Sequence, residues 1–392
     1  MNRPVNVVTE ARLLRSPSGI VFSGDGTRSY EFWSRYKRVF SKVFVIARVM
    51  NVDIEPGRDL VVEGKEVTVI DIGSYNGPLN YILNSRTIRR NIKNRVDFNC
   101  NFIFRVPGLL NFIVSRMIPR GASFGVEVVG DPSTIFSFKN LKDIPNYIFG
   151  FILHAYQIKI IKNSEFVSFV TSSYLQSKYL PKFYRGVVAN YSSINLKESD
   201  FRCETINRSL SKDKPFLLVS VGSMDQSYKG FDTLINVISV LSSKGYCVKL
   251  DIIGSGKNLS KLQELTDKLS LNTIVNFIGH LDHSLVAMHL DKCDAFILCS
   301  RTEGLPRSMI EAMARGLPCF GSRVGGIPEL LDQSQLFDVD NVDQIVETIL
   351  NGLFLDDLQA ISKINMSRAR EYSSLRLEKK RDLFYQAIKG SD

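Results

Sequence analysis

No stretch of 18 or more apolar residues occurs anywhere in this 392-residue chain. The nearest approach, Phe102 to Ile118, is broken by Arg105, Pro107, Gly108 and Arg116, so no transmembrane helix is expected. The opening Met-Asn-Arg-Pro-Val-Asn-Val-Val lacks the apolar core of a signal peptide, which makes the cytoplasm the expected location. Cysteine is sparse and scattered: Cys100, Cys203, Cys247, Cys293, Cys299 and Cys319 form no C-x-x-C, and most sit in or beside apolar runs. They read as small core residues of a reducing compartment. Histidine is scarcer still. His280 and His283 have ligand-like spacing, with His289 further on, but no cysteine or carboxylate completes a set, so no metal is expected. His154 lies within the apolar run Ile148 to Ile160 and reads as structural. No Ser/His/Asp set is evident, and Gly254-x-Gly256 is an incomplete dinucleotide fingerprint.

What remains is an ordinary globular composition, 44% hydrophobic and 23% charged, long enough for two or three domains. The net charge of +10 is lopsided. Residues 1–200 hold 27 Lys+Arg against 16 Asp+Glu, whereas the remainder hold 23 against 24. The excess concentrates at Arg86, Arg89, Arg90, Lys93 and Arg95, where Tyr81, Ile82, Ile88 and Ile92 fall near helical spacing. Two readings stand: a basic amphipathic helix on an anionic membrane surface, or a core-facing helix with a solvated basic face. No nucleic-acid motif accompanies the charge, and no nucleic-acid partner is expected.

The second half alternates. Phe216–Val221, Val248–Ile253, Val275–Ile278, Ala295–Cys299 and Cys319–Gly321 read as short buried strands. Helical patterns lie between them near Phe231–Leu241, Asn258–Leu269, Ser284–Leu290 and Ser308–Ala314. That order indicates a parallel, doubly wound sheet. In the first half, Val5–Thr9, Val43–Ala47, Val67–Ile70, Asn101–Phe104, Val126–Val129 and Phe166–Val170 read as strands. Two Rossmann-like domains follow, joined by the polar stretch from about Ser192 to Lys214, and Leu375 to Ile388 reads as one final helix.

The run Cys299-Ser-Arg-Thr-Glu-Gly-Leu-Pro-Arg-Ser-Met-Ile-Glu-Ala-Met-Ala-Arg-Gly-Leu-Pro318 carries the functional signal. It reads as a strand end, a Gly/Pro loop and a helix opening at Ser308. Such a turn aims free N–H groups and the positive helix end at one point beyond the sheet, where phosphate-bearing ligands bind. Glu303 and Glu311, eight residues apart, repel phosphate but accept hydrogen bonds from hydroxyls. A site for both a diphosphate and hydroxyls suits a nucleotide sugar. Ser308-x-x-Glu311 is also a capping box, in which Glu311 only satisfies a backbone N–H. Both readings stand.

In full, Ser300-Arg-Thr-Glu-Gly-Leu-Pro-Arg-Ser-Met-Ile-Glu311 resembles the E-x7-E signature of group 1 (family 4) retaining glycosyltransferases. Supporting stretches stand in order: Val221-Gly-Ser-Met-Asp-Gln-Ser-Tyr-Lys-Gly230, Ile252-Ile-Gly-Ser-Gly256, Phe277-Ile-Gly-His-Leu281 and Gly325-Gly-Ile-Pro-Glu329. The resemblance is strong over roughly 215–340. In the first half, Thr9-Glu-Ala-Arg, Tyr30 to Val49 and Gly125-Val-Glu-Val-Val-Gly-Asp-Pro132 look like members from bacterial envelope polysaccharide assembly.

The resemblance implies the α/β GT-B fold, two Rossmann-like doubly wound domains facing across a cleft. Residues 1–195 would bind the acceptor, 215–372 the nucleotide sugar, and 373–392 would form a helix crossing back to the first domain. It implies sugar transfer from a UDP- or GDP-linked donor with retention of configuration, without metal or cofactor. Lys229 would neutralise the donor diphosphate, Glu303 would meet sugar hydroxyls and Glu311 the ribose. Backbone amides from Gly304 to Met309, through Leu305, Pro306, Arg307 and Ser308, would hold phosphate. Gly222, Ser223, Gly254, Gly256 and Gly279 would line the donor site. Asp131 stands where relatives have a catalytic-face histidine; it is either sugar-facing or a turn starter before Pro132. Ser223 replaces an arginine common in relatives, and Arg301, Arg307 and Arg323 are the candidates to compensate. Asp338-Val-Asp340 mimics the D-x-D metal motif of the other glycosyltransferase fold, but ends a late strand. The implied acceptor is a lipid-linked or growing oligosaccharide for capsule, lipopolysaccharide or exopolysaccharide, at the inner face of the plasma membrane. The rivals are a soluble transferase acting on free sugars or storage polysaccharide, and a non-catalytic sugar-binding protein.

Overall fold

The computed structural model describes residues 3–24, 26–75, 77–132, 144–202, 214–354 and 357–390. The chain divides into two compact units: residues 1–191 with 378–392, and residues 192–377. Residues 203–213, which include Cys203 and the later part of the polar stretch before Lys214, lie outside the described residues.

The first unit is built on a sheet of eight strands: β1 (Val5–Arg15), β2 (Val21–Ser23), β3 (Val43–Asn51), β4 (Val67–Asp71), β5 (Asn101–Val106), β6 (Phe124–Val128), β7 (Phe166–Phe169) and β8 (Val187–Asn190). Seven run parallel in the order β4-β3-β1-β5-β6-β7-β8, while β2 pairs antiparallel with β1. β1 continues six residues past Thr9 because a register shift between Val8 and Arg12 lets it regain β3 and carry β2. After α1 (Tyr30–Ser34), the helices α2 (Gly77–Arg95), α3 (Leu109–Val114), α4 (Ile144–Lys162) and α5 (Tyr174–Tyr179) follow β4, β5, β6 and β7. Each connects strands in the same direction along the sheet, so right-handed crossovers put all four on one face. The packing agrees: Ile88, Ile92, Leu110, Ile113, Tyr156, Ile160 and Leu175 share one buried cluster with the sheet.

The second unit holds β9 (Phe216–Val221), β10 (Val248–Ile253), β11 (Val275–Gly279), β12 (Ala295–Leu298), β13 (Cys319–Ser322) and β14 (Leu336–Phe337). All six are parallel, in the order β11-β10-β9-β12-β13-β14. The strands alternate with α6 (Phe231–Ser243), α7 (Leu259–Lys268), α8 (His283–Leu290) and α9 (Arg307–Ala314) before α10 (Val342–Phe354) and α11 (Leu358–Arg370). Along α6, Phe231, Leu234, Ile235, Ile238 and Leu241 are buried at helical spacing, each such side chain worth about 1.5–3 kcal/mol. They pack on Leu218, Leu250 and Ile297 of the sheet. β9 and β12 sit at the centre, where the order reverses. Ligands bind outside the carboxyl ends of strands at such a switch point. The loops after β9 and β12 are those carrying Lys229 and Glu303.

The last helix, Ser374–Lys389, contributes its residues from Glu378 onward to the first unit. There Arg38 pairs with Asp382 at 2.9 Å, and Tyr385 is fully buried.

Candidate active site

The loops after β9 and β12 are fixed to each other by glycine. Gly230 has φ +68°, and a Cβ there would lie 2.0 Å from the Cys299 carbonyl oxygen, so only glycine allows this approach. Gly325 has φ +56°, and its Cβ would meet the Glu303 carbonyl oxygen at 2.0 Å. Gly326 then donates its N–H to the Gly304 oxygen at 2.7 Å. The Glu303 backbone is thus clamped from the side of β13. Gly222 lies under the Lys229 stem and donates its N–H to the Ile253 oxygen at 3.0 Å, while Gly254 donates to the Gly279 oxygen at 2.8 Å, at the ends of β9, β10 and β11.

Within this frame Lys229 Nζ donates to Glu303 Oε1 at 2.7 Å, and Ser300 Oγ donates to the same oxygen at 2.7 Å. The two charged side chains are 11% and 9% exposed. Burial by itself would lower the Lys229 pKa, but the Glu303 charge and neighbouring Tyr228 outweigh it and carry it above its ordinary value. Lys229 therefore stays an ammonium at neutral pH. Tyr228 places its ring 5.2 Å from Nζ. Glu303 Oε2 accepts nothing among the described residues.

α9 begins at Arg307, with Pro306 at its N-cap and no side-chain cap. The capping-box reading of Ser308 and Glu311 is therefore corrected. Pro306, at φ −73°, already has the helical φ, so the helix starts one residue early and Ser308 falls inside its first turn. Glu311 is left half-buried with no side-chain hydrogen bond or ion pair among the described residues. The helix's first amides have no intrahelical acceptor. Pro306 has no N–H, so the amides on offer are those of Gly304, Leu305, Arg307, Ser308 and Met309. Leu305 and Met309 bury their side chains and can meet a ligand only through backbone.

The three compensating arginines separate. Arg301 grips Asp232 through two bonds of 3.0 and 2.8 Å, bonds Asp340 at 2.8 Å, and donates to the Ser227 carbonyl at 2.6 Å. It braces the turn that carries Lys229, and it occupies Asp340 of the D-x-D mimic. Arg323 bonds Gln333 and lies 3.6 Å from Asp338. Arg307 is exposed, makes no side-chain bond among the described residues, and lies close enough to depress the Lys229 pKa by charge. Ser223 closes its own turn, its hydroxyl bonding Asp225 at 3.1 Å.

The first unit departs further from the sequence reading. The Asp131 carboxylate is 1% exposed, receiving Lys178 at 2.6 Å, Tyr174 at 3.0 Å and Tyr179. The structure thus makes it the centre of a buried cluster, which His154 joins through Tyr179 at 3.0 Å. Sequence reasoning missed Glu127. It is buried at the centre of Tyr36 at 2.8 Å, Tyr191 at 2.9 Å, Tyr385 at 2.8 Å and Arg105. On α2, Tyr81, Ile88 and Ile92 are buried, whereas Ile82 is 62% exposed and does not belong to the core face. Arg86, Arg89, Arg90, Lys93 and Arg95 are all exposed. No group of three metal-ligating side chains occurs among the described residues, and His289 pairs with Asp251 at 2.6 Å.

The chain is similar to known proteins in both sequence and fold. Residues 202–362 match the family described as glycosyl transferases group 1. Protein CapJ of Staphylococcus aureus is 27% identical over 327 residues, covering 82% of this chain and 80% of CapJ. The amylovoran biosynthesis glycosyltransferase AmsK of Erwinia amylovora is 30% identical over 149 residues, 36% of each chain. Among solved structures, sucrose-phosphate synthase of Thermosynechococcus elongatus superposes with a TM-score of 0.76 at 15% identity, covering 100% of both chains. Anabaena HepE, solved in complex with UDP and glucose, gives 0.66 at 12% identity over 98% of this chain and all of its own. Likeness along the whole length shows the GT-B fold, and residues 202–362 form a domain that matches the group 1 glycosyl transferases.

Proposed function

We propose that the chain transfers a sugar, with retention, from a UDP- or GDP-linked donor to a lipid-linked or growing oligosaccharide in bacterial surface polysaccharide biosynthesis. The observation that carries this reading is the Lys229–Glu303 pair at 2.7 Å, set before a helix end with no side-chain cap. An ammonium shielded by one carboxylate accepts a stronger anion readily. A donor diphosphate draws Lys229 away, and Glu303 turns to hydroxyls of the transferred sugar. The amides of Gly304 to Met309, Pro306 excepted, hold the sugar-side phosphate. Arg307 supplies the cation missing at Ser223, and Glu311, with no side-chain partner among the described residues, takes the ribose hydroxyls.

In the reaction the bond between the anomeric carbon and the diphosphate oxygen breaks. Negative charge grows on the leaving oxygen, where Lys229, Arg307 and the helix end lower its energy. The acceptor hydroxyl attacks on the same face and passes its proton to the leaving phosphate. No metal is required for this charge balance. The name of AmsK supports the polysaccharide setting, and the UDP complex of HepE supports the donor class. The solvated basic face of α2 suits the anionic inner leaflet and a lipid diphosphate acceptor.

The test is a panel of UDP-, GDP- and ADP-sugars, first by thermal shift and then with labelled acceptor, reading the anomer of the product by NMR. A ligand at 100 times its Kd adds about 2.7 kcal/mol of stability. Turnover in EDTA with a retained anomer is expected. An inverted product, or none with any donor while the fold is intact, defeats the reading. Transfer to free sugars in the absence of lipid acceptor would favour the soluble alternative.

A further inference from the structure

A pocket of about 910 Å³ opens in the first unit, where Lys162, Lys182 and Arg185 approach Leu180, Phe183 and Val187. It lies at the segments that lead into β7 and β8, the amino ends of those strands. A Rossmann-type crevice lies at the carboxyl ends, so this is a separate place on the domain. Its chemistry is two-sided. Lys162, Lys182 and Arg185 are exposed and make no side-chain bond or ion pair among the described residues. Lys178 also lines it but is committed to Asp131, and the one carboxylate, Glu165, is engaged by Ser123 at 3.0 Å. Beside the three cations, Phe183 stands 91% exposed and Val187 44% exposed.

The exposed apolar surface continues along α4. Ile148, Phe151 and Ile152 are 53%, 67% and 51% exposed, at i, i+3 and i+4, and the same stripe runs on to Lys159 and Lys162. Ile148 to Lys162 spans roughly 21 Å of helix. Because α2 and α4 cover the same face of the sheet, this stripe and the basic face of α2 belong to one side of the domain. Apolar side chains left in water beside unpaired cations complement a ligand with an anionic head and an apolar body.

We infer that this pocket binds an anionic amphiphile, its phosphate among Lys162, Lys182 and Arg185 and its apolar part against Phe183, Leu180 and Val187. Neither the donor site nor the transfer reaction enters the inference. The full-length chain is titrated with monomeric dihexanoylphosphatidylglycerol, dihexanoylphosphatidylcholine and inorganic phosphate, and sedimented with phosphatidylcholine vesicles with and without phosphatidylglycerol. Saturable binding of the anionic short-chain lipid is expected, at least tenfold tighter than the zwitterionic one. The triple variant Lys162→Ala, Lys182→Ala, Arg185→Ala should weaken it roughly a hundredfold. Phe183→Ser should weaken it roughly tenfold while leaving any phosphate binding unchanged. All four positions are exposed, so melting curves should stay near wild type, and Lys182→Glu alone serves as a second probe. Phosphate binding as tightly as the lipid would identify a free phosphate ester as the ligand and overturn the apolar half. No saturable binding, or equal binding by the triple variant, overturns the whole.

Discussion

Both domains bury carboxylates against a cation and hydroxyls, and two of them, Glu127 and Glu303, are built to opposite ends. Glu127 is saturated by Arg105 and three tyrosine hydroxyls drawn from Tyr36, Tyr191 and Tyr385. Among the described residues Glu303 holds only Lys229 and Ser300, both on one of its oxygens, and the other oxygen accepts nothing. A saturated carboxylate ties segments together, and exchanging any partner leaves a buried group unpaired. A half-used carboxylate on a glycine-clamped loop can trade its cation for a ligand without loosening the fold. The first arrangement suits stability, and the second suits the ligand exchange proposed for this site.

That contrast can be broken. Glu127→Ala should cost the most, about 3–5 kcal/mol by urea unfolding of the first unit, because Arg105 is left buried without its partner. The same site sets a pH dependence. Burial would raise the Glu127 pKa, but the Arg105 charge and the tyrosine hydroxyls overcome it and hold it below the usual carboxylate range. Its contribution is therefore complete above the unfolded pKa of about 4.3 and fades as pH falls through the lower folded value. Melts from pH 7 to 3 should show the loss on the acid side, with the Glu127→Ala curve flatter there.

Lys229→Ala should act on rate rather than stability, lowering kcat by about 10²–10³ as a lost charge-stabilising donor. Glu303→Gln should also suppress transfer while the melting temperature moves little. A fall in stability as large as that of Glu127→Ala would erase the distinction between the two carboxylates. Gly325→Ala tests the clamp: its Cβ, 2.0 Å from the Glu303 oxygen, must displace that backbone, costing about 1–2 kcal/mol for the left-handed φ alone. Turnover should fall with it. Ser308→Ala should be nearly silent in stability, within about 0.5 kcal/mol, because α9 is not capped by that side chain.

How legible each site was follows from how it is made. The second domain keeps its candidate site on turns directly after strands, so Lys229, Glu303 and the glycines that clamp them sit in short runs of sequence. Only Ser300, Tyr228 and the bracing role of Arg301 were unread there, and Ser300 opens the very motif that carried the resemblance. The first domain assembles its buried polar groups from afar: Glu127 meets partners 64, 91 and 258 residues away. Nothing local announces such a cluster. Asp131 misled because its turn-like neighbour Pro132 hides the three donors that come from α5. The edge strand β8 escaped as well, since Val187 and Val188 are exposed and lack a buried strand's pattern.

The central claim is that Lys229 leaves Glu303 for the donor diphosphate. Calorimetric titration of UDP and GDP into wild type, Lys229→Ala and Glu303→Gln tests it directly. For whichever nucleotide binds, affinity should drop at least tenfold in Lys229→Ala and hold or rise in Glu303→Gln, where the competing carboxylate is gone. Equal affinity for wild type and Lys229→Ala would contradict the account.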